Sequence, residues 1–310
     1  MEFKKYQSIE NAYQDRYIEK WVGYYADLLN ETFILTEKID GANFSIMVEQ
    51  EEIDYAKRTC KLNIADSFFD YQSAIVLYQE EFKLVQAYMK LNNIKDIRLF
   101  GELFGNGIQR RIFYSKHKEI RLFDCEIDGV LLCQFDFIEL LKSIGIFHMY
   151  VPIIAIVDSL EKALAYNIKF DSKISNKKDN LCEGVVIKQY NSLFKWNDGR
   201  VFYLKNKNEK FSEQNKVLKT LFVPTEKFLL AQENYCRYLN ENRLQGLISK
   251  IGMIEDKSQI GEYIKLMTQD AKEDYLKDSK TEFLALEDKE RGKLFSISGR
   301  IIMPMLKEYL

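Results

Sequence analysis

The chain has 310 residues, 46% of them hydrophobic and 30% charged, which is the composition of a soluble globular protein with room for two domains. It carries 45 Lys plus Arg against 47 Asp plus Glu, and the net charge of −2 argues against a uniformly basic nucleic-acid-binding protein. Any affinity for a polyanion therefore has to come from local clusters of charge.

The five cysteines show no CxxC spacing and there are only two histidines, so we expect neither a disulfide framework nor a zinc site. Residues 1–13 have no apolar core, and the longest apolar run, residues 146–157, is too short to span a bilayer. These features predict an intracellular protein of the cytoplasm or nucleoplasm that is not secreted and has no membrane partner. We expect it to be a monomer.

The first predicted elements are three short strands, FILTEKID, ANFSIMVE and EIDYAKRT, which form a meander. A helical pattern follows over residues 70–91, and strand candidates then lie around 98–103, 120–125, 150–157, 184–189 and 200–205. Beyond the last of these strands the pattern changes to amphipathic helices at 227–239, 243–251, 260–270 and 301–309. We predict an α+β fold with a strand-rich domain over residues 1–224 and a small all-helical C-terminal domain over residues 225–310.

The first informative motif is Lys38-Ile39-Asp40-Gly41, at the end of a predicted strand. Lys38 and Asp40 project to the same side because strand side chains alternate. This motif alone is weak, since a solvated hairpin turn has the same composition. It becomes specific because four further motifs follow in order: Phe100-Gly-Glu102, Leu122-Phe123-Asp124, Glu183-Gly-Val-Val-Ile-Lys188 and Lys205-Asn-Lys207.

This ordered set resembles the covalent nucleotidyltransferases, the superfamily of polynucleotide ligases and messenger-RNA capping enzymes. The stretches KKYQSIEN, EKIDGANFS, AKRT, FGELFGNGIQ, EGVVIK, KNKNEKFSE and NRLQGLISKIG are similar to the RNA ligase 2 family, which includes the trypanosome editing ligases. The resemblance implies an ATP-grasp-like nucleotidyltransferase domain of antiparallel sheets with flanking helices. It differs at position 40, where that family usually has His and this chain has Asp, as DNA ligases and capping enzymes do.

The resemblance implies that Lys38 is the nucleophile that takes AMP from ATP, with Mg²⁺ or Mn²⁺ as the metal. An amine must be uncharged to attack phosphorus, and the reference pKa of Lys is about 10.4. Lys205 and Lys207 lie on one face of a predicted strand, and such cations disfavour the charged amine while neutralising the transferring phosphate. Glu183 is the expected metal ligand, because a hard cation on phosphate needs a carboxylate. The alternative for Lys205 and Lys207 is that they are solvated lysines on a strand edge. For Glu183 the alternative is a surface salt bridge.

Further nucleotide contacts are assigned through the resemblance. Glu102 is expected to accept a ribose hydroxyl and Phe123 to stack on adenine, while the backbone carbonyl of Glu37 meets the adenine amino group. Asn43 and Arg58 match positions that contact nucleotide or nucleic-acid phosphate, and arginine offers a bidentate fork for that purpose. The complete predicted nucleotide site is Glu37, Lys38, Asp40, Asn43, Arg58, Glu102, Phe123, Glu183, Lys205 and Lys207.

Residues 188–219 contain more basic than acidic side chains, with aromatic residues between them, and could track RNA phosphates. The basic members are Lys188, Lys195, Arg200, Lys205, Lys207, Lys210, Lys216 and Lys219, the acidic ones are Asp198, Glu209 and Glu213, and the aromatic ones are Phe194, Trp196 and Tyr203. A merely solvated charge run is the alternative.

The sequence therefore predicts an ATP-dependent RNA ligase of the kind used in RNA repair. It would seal 3′-hydroxyl/5′-phosphate nicks in duplex RNA through a lysyl adenylate on Lys38. A compact ATP-dependent DNA ligase is an alternative, supported by Asp40. A degenerate nucleotidyltransferase that only binds RNA is the second alternative, and the intact set of charged motif residues argues against it.

Overall fold

The computed structural model describes residues 1–109, 111–211, 222, 224–252, 254 and 256–309. The chain forms two compact units, Met1–Thr220 and Leu221–Leu310. Each unit is held by its own apolar cluster. The sequence pattern changes close to the same place, at Pro224.

The first unit contains two β-sheets. One has five strands in the order β1-β11-β10-β2-β9, and its pairs are antiparallel except for β1 with β11. Its strands are β1 (Glu10–Asn11), β2 (Phe33–Glu37), β9 (Ile153–Val157), β10 (Gly184–Gln189) and β11 (Tyr203–Lys207). Every residue of β2 is buried, as expected for a central strand that is covered on both faces.

The second sheet has six antiparallel strands in the order β5-β4-β3-β6-β7-β8. They are β3 (Ala42–Glu49), β4 (Ile53–Lys57), β5 (Lys61–Leu62), β6 (Asp96–Gly105), β7 (Lys118–Ile127) and β8 (Val130–Leu131). The chain passes from β2 in the first sheet to β3 in the second within residues 38–41. The Lys-Ile-Asp-Gly motif is therefore the connection between the two sheets. The predicted three-strand meander is wrong in its first strand, because β2 pairs with β9 and β10 whereas β3 pairs with β4.

The helices of the first unit are α1 (Asp15–Tyr24), α2 (Tyr71–Leu77), α3 (Gln79–Leu91), α4 (Gln134–Ile144) and α5 (Leu160–Leu164). Phe82, Val85 and Met89 recur at helical spacing along α3 and are buried in the core that includes the second sheet. Phe137 and Leu141 of α4 belong to the same core. This packing supports the second sheet, in which Asn43 and Glu102 lie on paired strands.

The second unit is helical in the part that the structure describes. It contains α6 (Glu226–Cys236), α7 (Glu241–Ile251), α8 (Ile260–Asp278), α9 (Lys280–Leu284), α10 (Asp288–Lys293) and α11 (Ser298–Lys307). Thr225 and Asn240 cap α6 and α7 by accepting backbone N–H groups of the first turn. Tyr235 and Tyr275 are fully buried in its core, and their hydroxyls bond Ser298 and Glu282.

The predicted α+β class is confirmed, and the motif-bearing strands lie close to their expected positions. The predicted helix over residues 70–91 is wrong in being continuous, because the chain leaves helical geometry at Tyr78, between α2 and α3. The last predicted strand is displaced toward Lys207, and α1 and α4 were not predicted. Among the described residues, no helix is both long enough and apolar enough to cross a membrane.

Candidate nucleotide-binding site

Strand register brings Lys38, Glu183 and Lys207 together. Glu37 pairs with Val185, and the ladder continues because the Lys38 N–H donates to the Gly184 carbonyl at 3.0 Å. On the other side Gly184 pairs with Lys207. Gly184 thus lies between the two lysines and has no side chain to separate them.

Glu183 is shared between two ammonium groups. Its carboxylate oxygens lie 2.7 Å from Lys38 Nζ and 3.1 Å from Lys207 Nζ. The Glu183 side chain is 2% exposed, whereas Lys38 is 22% exposed and so remains accessible from the cavity described below. Lys205 pairs with Val186 and lies on the same strand face as Lys207. The three predicted catalytic lysines and the predicted metal ligand therefore lie around one strand end.

Glu183, the predicted ligand of a divalent cation, is buried and pairs with both Lys38 and Lys207. Within the described residues, no group of three or more His, Cys, Asp or Glu side chains is arranged to hold a metal ion. Mg²⁺ is commonly held by one or two carboxylates together with substrate phosphates, so a single buried carboxylate at this point fits a nucleotide-bound cation.

The Asp40 carboxylate is paired with an arginine instead of being free to contact a ligand. Arg111 donates to both of its carboxylate oxygens, from Nε at 2.9 Å and from Nη2 at 2.5 Å. The Asp40 N–H donates to the buried Tyr114 hydroxyl at 2.8 Å. Direct nucleotide contact, as predicted for Asp40, would require its carboxylate to leave Arg111.

Glu102 and Asn43 face each other across paired strands, β6 and β3. Loss of solvent around Glu102 raises the pKa of its carboxyl to about 7; Lys38 opposes this shift and Glu183 adds to it. Asn43 Oδ1 is buried and has no hydrogen-bond partner in the part of the chain described here. Buried acceptors in proteins normally receive a hydrogen bond. The unpaired Asn43 Oδ1 is therefore available to accept one from a bound ligand.

A cavity of about 470 Å³ opens beside Lys38, within the range of small-molecule sites. Phe123, Val151 and Val186 give it an apolar part that suits a nucleobase. Arg58 lines another part of the cavity and donates to Ser8 Oγ at 3.2 Å. Glu102 and Asn43 also line the cavity, so all the predicted contacts except Asp40, Glu183, Lys205 and Lys207 border it.

Glu37 lines the cavity, but its side chain is directed elsewhere. Its carboxylate is 1% exposed and accepts the Lys173 N–H at 2.7 Å. Burial raises the pKa of Glu37. This arrangement leaves only the backbone of Glu37 for the predicted contact with adenine.

Sequence reasoning missed a buried polar cluster behind Phe123. Asp124 is fully buried and accepts hydrogen bonds from four side chains: Tyr6, Gln134 at 2.7 Å, Lys188 at 2.8 Å and Tyr203 at 3.2 Å. Lys188 Nζ also donates to the Phe123 carbonyl at 2.7 Å. Burial lowers the pKa of Lys188. Two of the quoted motifs contain Asp124 and Lys188, and this was the signal that could have found the cluster.

The predicted RNA-tracking surface over residues 188–219 is wrong in part. Lys188 and Tyr203 are each 1% exposed, so neither can contact RNA from a surface. Phe194 stacks on Tyr25 with ring centroids 4.7 Å apart, and Trp196 packs against α1. Lys195, Arg200 and Lys210 are exposed. Glu213, Lys216 and Lys219 lie outside the described residues.

The sequence of this unit matches a known family. A family model described as RNA ligase matches residues 31–207, more than half of the chain. The chain belongs to the RNA ligase family. A second model, described as T4 RNA ligase 2 C-terminal, matches residues 228–296 of this RNA ligase family member and places it in the RNA ligase 2 branch, as its motifs predict.

Solved structures of Naegleria gruberi RNA ligase are similar to this RNA ligase family member at low identity. A mutant in the apo form is 18% identical with a TM-score of 0.49, over 67% of this chain and 56% of that one. Another mutant, solved with ATP and Mn, is 19% identical with a TM-score of 0.49, over 67% and 57%. The chain spans less than two thirds of the length of these ligases.

Proposed function

We propose that the protein is an ATP-dependent RNA ligase that seals 3′-hydroxyl/5′-phosphate nicks in duplex RNA through AMP carried on Lys38. The observation that carries the proposal is the cluster of Lys38, Lys207 and Glu183 beside a cavity of small-molecule size in a chain of the RNA ligase family. A related ligase was solved with ATP and Mn, which agrees with this choice of substrate and metal.

In this proposal ATP lies with its base in the apolar part of the cavity. Phe123 stacks on adenine, and the backbone of Glu37 meets the adenine edge. Glu102 accepts a ribose hydroxyl. Asn43 Oδ1 accepts a ligand donor, and Arg58 holds phosphate.

Lys38 lines this cavity, and its amine attacks the α-phosphate of the bound ATP. Mg²⁺ or Mn²⁺ bound with the nucleotide supplies positive charge to the phosphate oxygens. Metal binding by Glu183 would compete with its ion pairs to Lys38 and Lys207. Release of Lys38 leaves its amine free to lose a proton, while Lys205 and Lys207 neutralise charge on the phosphates.

Three phosphoryl transfers then follow in one site. The Lys38 amine forms a bond to the α-phosphorus as the bond to the bridging oxygen breaks and pyrophosphate leaves. An oxygen of the RNA 5′-phosphate next displaces Lys38, which gives RNA with AMP joined to its 5′ end. The 3′-hydroxyl finally attacks the RNA 5′-phosphate, losing its proton, and AMP leaves as the new phosphodiester forms.

The helical second unit is the proposed holder of the duplex, because all the predicted nucleotide contacts lie in the first unit. This second unit is the part that matches the family model described as T4 RNA ligase 2 C-terminal. We propose that the enzyme acts as a monomer inside the cell.

The test is incubation with Mg²⁺ and ATP labelled at the α-phosphate, followed by denaturing electrophoresis. We expect label on the wild type with ATP and none with α-labelled GTP. Lys38→Ala lacks the amine and Lys38→Arg stays protonated, so neither should take up label. As a matched control, Lys142→Ala removes an exposed lysine that pairs with Glu139 on α4, and it should label normally.

The labelled wild type is then mixed with nicked duplex RNA or nicked duplex DNA. Transfer of label to RNA and sealing of the RNA nick are expected, with slower sealing of DNA. Normal labelling of Lys38→Ala would contradict the mechanism. Faster sealing of DNA would favour a DNA ligase, and labelled protein that never transfers AMP would favour an RNA-binding module.

A further inference from the structure

The turn that carries Lys38 is held by contacts at Lys38, Asp40 and Gly41. The Lys38 N–H donates to Gly184, and the Asp40 N–H donates to Tyr114. At Gly41 an added Cβ would lie 2.5 Å from the Leu103 carbonyl oxygen, so the turn is packed directly on β6. Asp40 is the one member of this turn with a charged side chain other than the nucleophile itself.

Asp40 is almost fully buried, and its charged partner is Arg111, whose Nε and Nη2 each donate to one carboxylate oxygen. The Asp40 side chain is 5% exposed and Arg111 is 47% exposed. Burying a carboxylate is costly unless it is paired and hydrogen-bonded, and a bidentate guanidinium is the strongest common partner. Arg111 therefore fixes both the charge and the orientation of Asp40.

Arg111 is itself held by surrounding structure. Its guanidinium lies 5.4 Å from the centre of the Phe211 ring, in the segment just after β11. Close by in sequence, Phe113 exchanges two backbone hydrogen bonds with the Asn180 side chain, at 3.0 and 2.6 Å. Arg111 thus connects the Lys38 turn, at the start of the second sheet, with the segment that follows Lys205 and Lys207 in the first sheet.

We propose that Arg111 is a positioning residue that holds the Lys38 turn for attack on the α-phosphate. It acts through Asp40, and this inference rests on the proposed function. If Arg111 is removed, the buried Asp40 carboxylate has lost its partner and can pair with the Lys38 ammonium, which lies two residues away in the chain. The nucleophile is then displaced, while the cavity that binds the base is untouched.

The test uses the full chain with Arg111→Ala, Arg111→Lys and the double variant Arg111→Ala with Asp40→Asn. The rate constant for lysyl-adenylate formation should fall tenfold to a hundredfold in Arg111→Ala, as expected for a displacement of about 1 Å. KM for ATP should change less than about threefold, because Arg111 does not line the cavity. Sealing of RNA already adenylylated at its 5′ end should also stay within about threefold, since Lys38 does not attack in that step.

Arg111→Lys keeps the positive charge but loses the bidentate hydrogen bonding of the guanidinium. This variant should therefore recover only part of the rate constant for lysyl-adenylate formation. The double variant should be at least about threefold faster than Arg111→Ala, because the neutral amide that replaces the Asp40 carboxylate no longer attracts Lys38. Lys162→Ala, which removes an exposed cation paired with Asp158, is the control and should match wild type.

An unchanged rate in Arg111→Ala would overturn the inference. So would a raised KM for ATP with an unchanged rate constant, which would mean that Arg111 binds phosphate directly. Equal losses in adenylylation and in sealing of adenylylated RNA would show a general structural role instead. A wild type that takes up no label would refute the proposed function, whereas a labelled wild type with a normal Arg111→Ala refutes only this inference.

Discussion

Glu102 is a carboxylate whose desolvated environment costs stability when the group is charged. Desolvation raises its pKa to about 7, although Lys38 opposes the shift and the nearby Glu183 carboxylate adds to it. An ordinary glutamate has a pKa near 4.5, so between these two values the folded protein binds more protons than the unfolded chain. The free energy of unfolding should therefore fall as pH rises from about 4.5 to 7, with the full cost present above pH 7.

We predict that Glu102→Gln raises the free energy of unfolding by about 1–3 kcal/mol at pH 8, because the neutral amide removes the desolvated charge. The gain should be about a quarter as large at pH 5, where Glu102 is protonated in the folded wild type. The same variant should bind ATP more weakly, since it cannot offer a carboxylate to the ribose. Thermal unfolding at both pH values and ATP titration provide the measurements.

Glu80→Gln is the matched control, because Glu80 is exposed and pairs with the exposed Lys83 on α3. Its effect should stay within about 0.5 kcal/mol at either pH. A gain from Glu102→Gln that is equal at pH 5 and pH 8 would show that loss of charge is not the cause.

At the scale of elements, the site depends on the pairing of β10 with β11. Gly184 has a φ of +146° and pairs with Lys207. A Cβ added there would lie 2.0 Å from the Asn206 carbonyl oxygen and 2.9 Å from the Lys207 Cα. Both neighbours are backbone atoms, so relief requires the two strands to separate and Glu183 to move away from Lys207.

Gly184→Ala should consequently lower the free energy of unfolding by about 2–4 kcal/mol, from backbone strain and lost strand pairing. Label uptake from α-labelled ATP should fall at least tenfold under conditions where the protein is still folded. Gly261→Ala in α8 is the control, because nothing lies within 4 Å of the added Cβ and alanine favours helix. Wild-type stability in Gly184→Ala would contradict the strand geometry.

The sequence predicted the parts of the site that lie on regular elements. Lys205 and Lys207 could be assigned to one face because strand side chains alternate. Their pairing register with β10 could not be predicted from that alternation and is given by the structure. Arg111 could not be predicted, because it lies in an irregular segment 71 residues from Asp40 and nothing local indicates its direction. The prediction that Lys188 lies on an RNA-binding surface is wrong because Lys188 pairs with the buried Asp124. A run of basic residues has the same sequence pattern whether its members are solvated or paired with a buried carboxylate.

At the scale of the molecule, the two units differ in what they contribute. The proposed nucleotide contacts, from Glu37 to Lys207, all lie in Met1–Thr220, which has its own apolar core around the second sheet. The helices of Leu221–Leu310 enclose a separate core. The two family models match one unit each, at residues 31–207 and 228–296. Adenylylation should therefore be separable from sealing.

A fragment ending at Thr220 tests this separation. It should form the lysyl adenylate at a rate within about threefold of the full chain, because ATP and Lys38 meet within the first unit. Its sealing of nicked duplex RNA should fall at least tenfold, since loss of a phosphate-contacting surface weakens duplex binding at physiological salt. The measurements are label uptake and sealing rate, with a thermal unfolding transition as the check that the fragment is folded. A folded fragment that labels and seals like the full chain would mean that the helical unit does not hold the duplex.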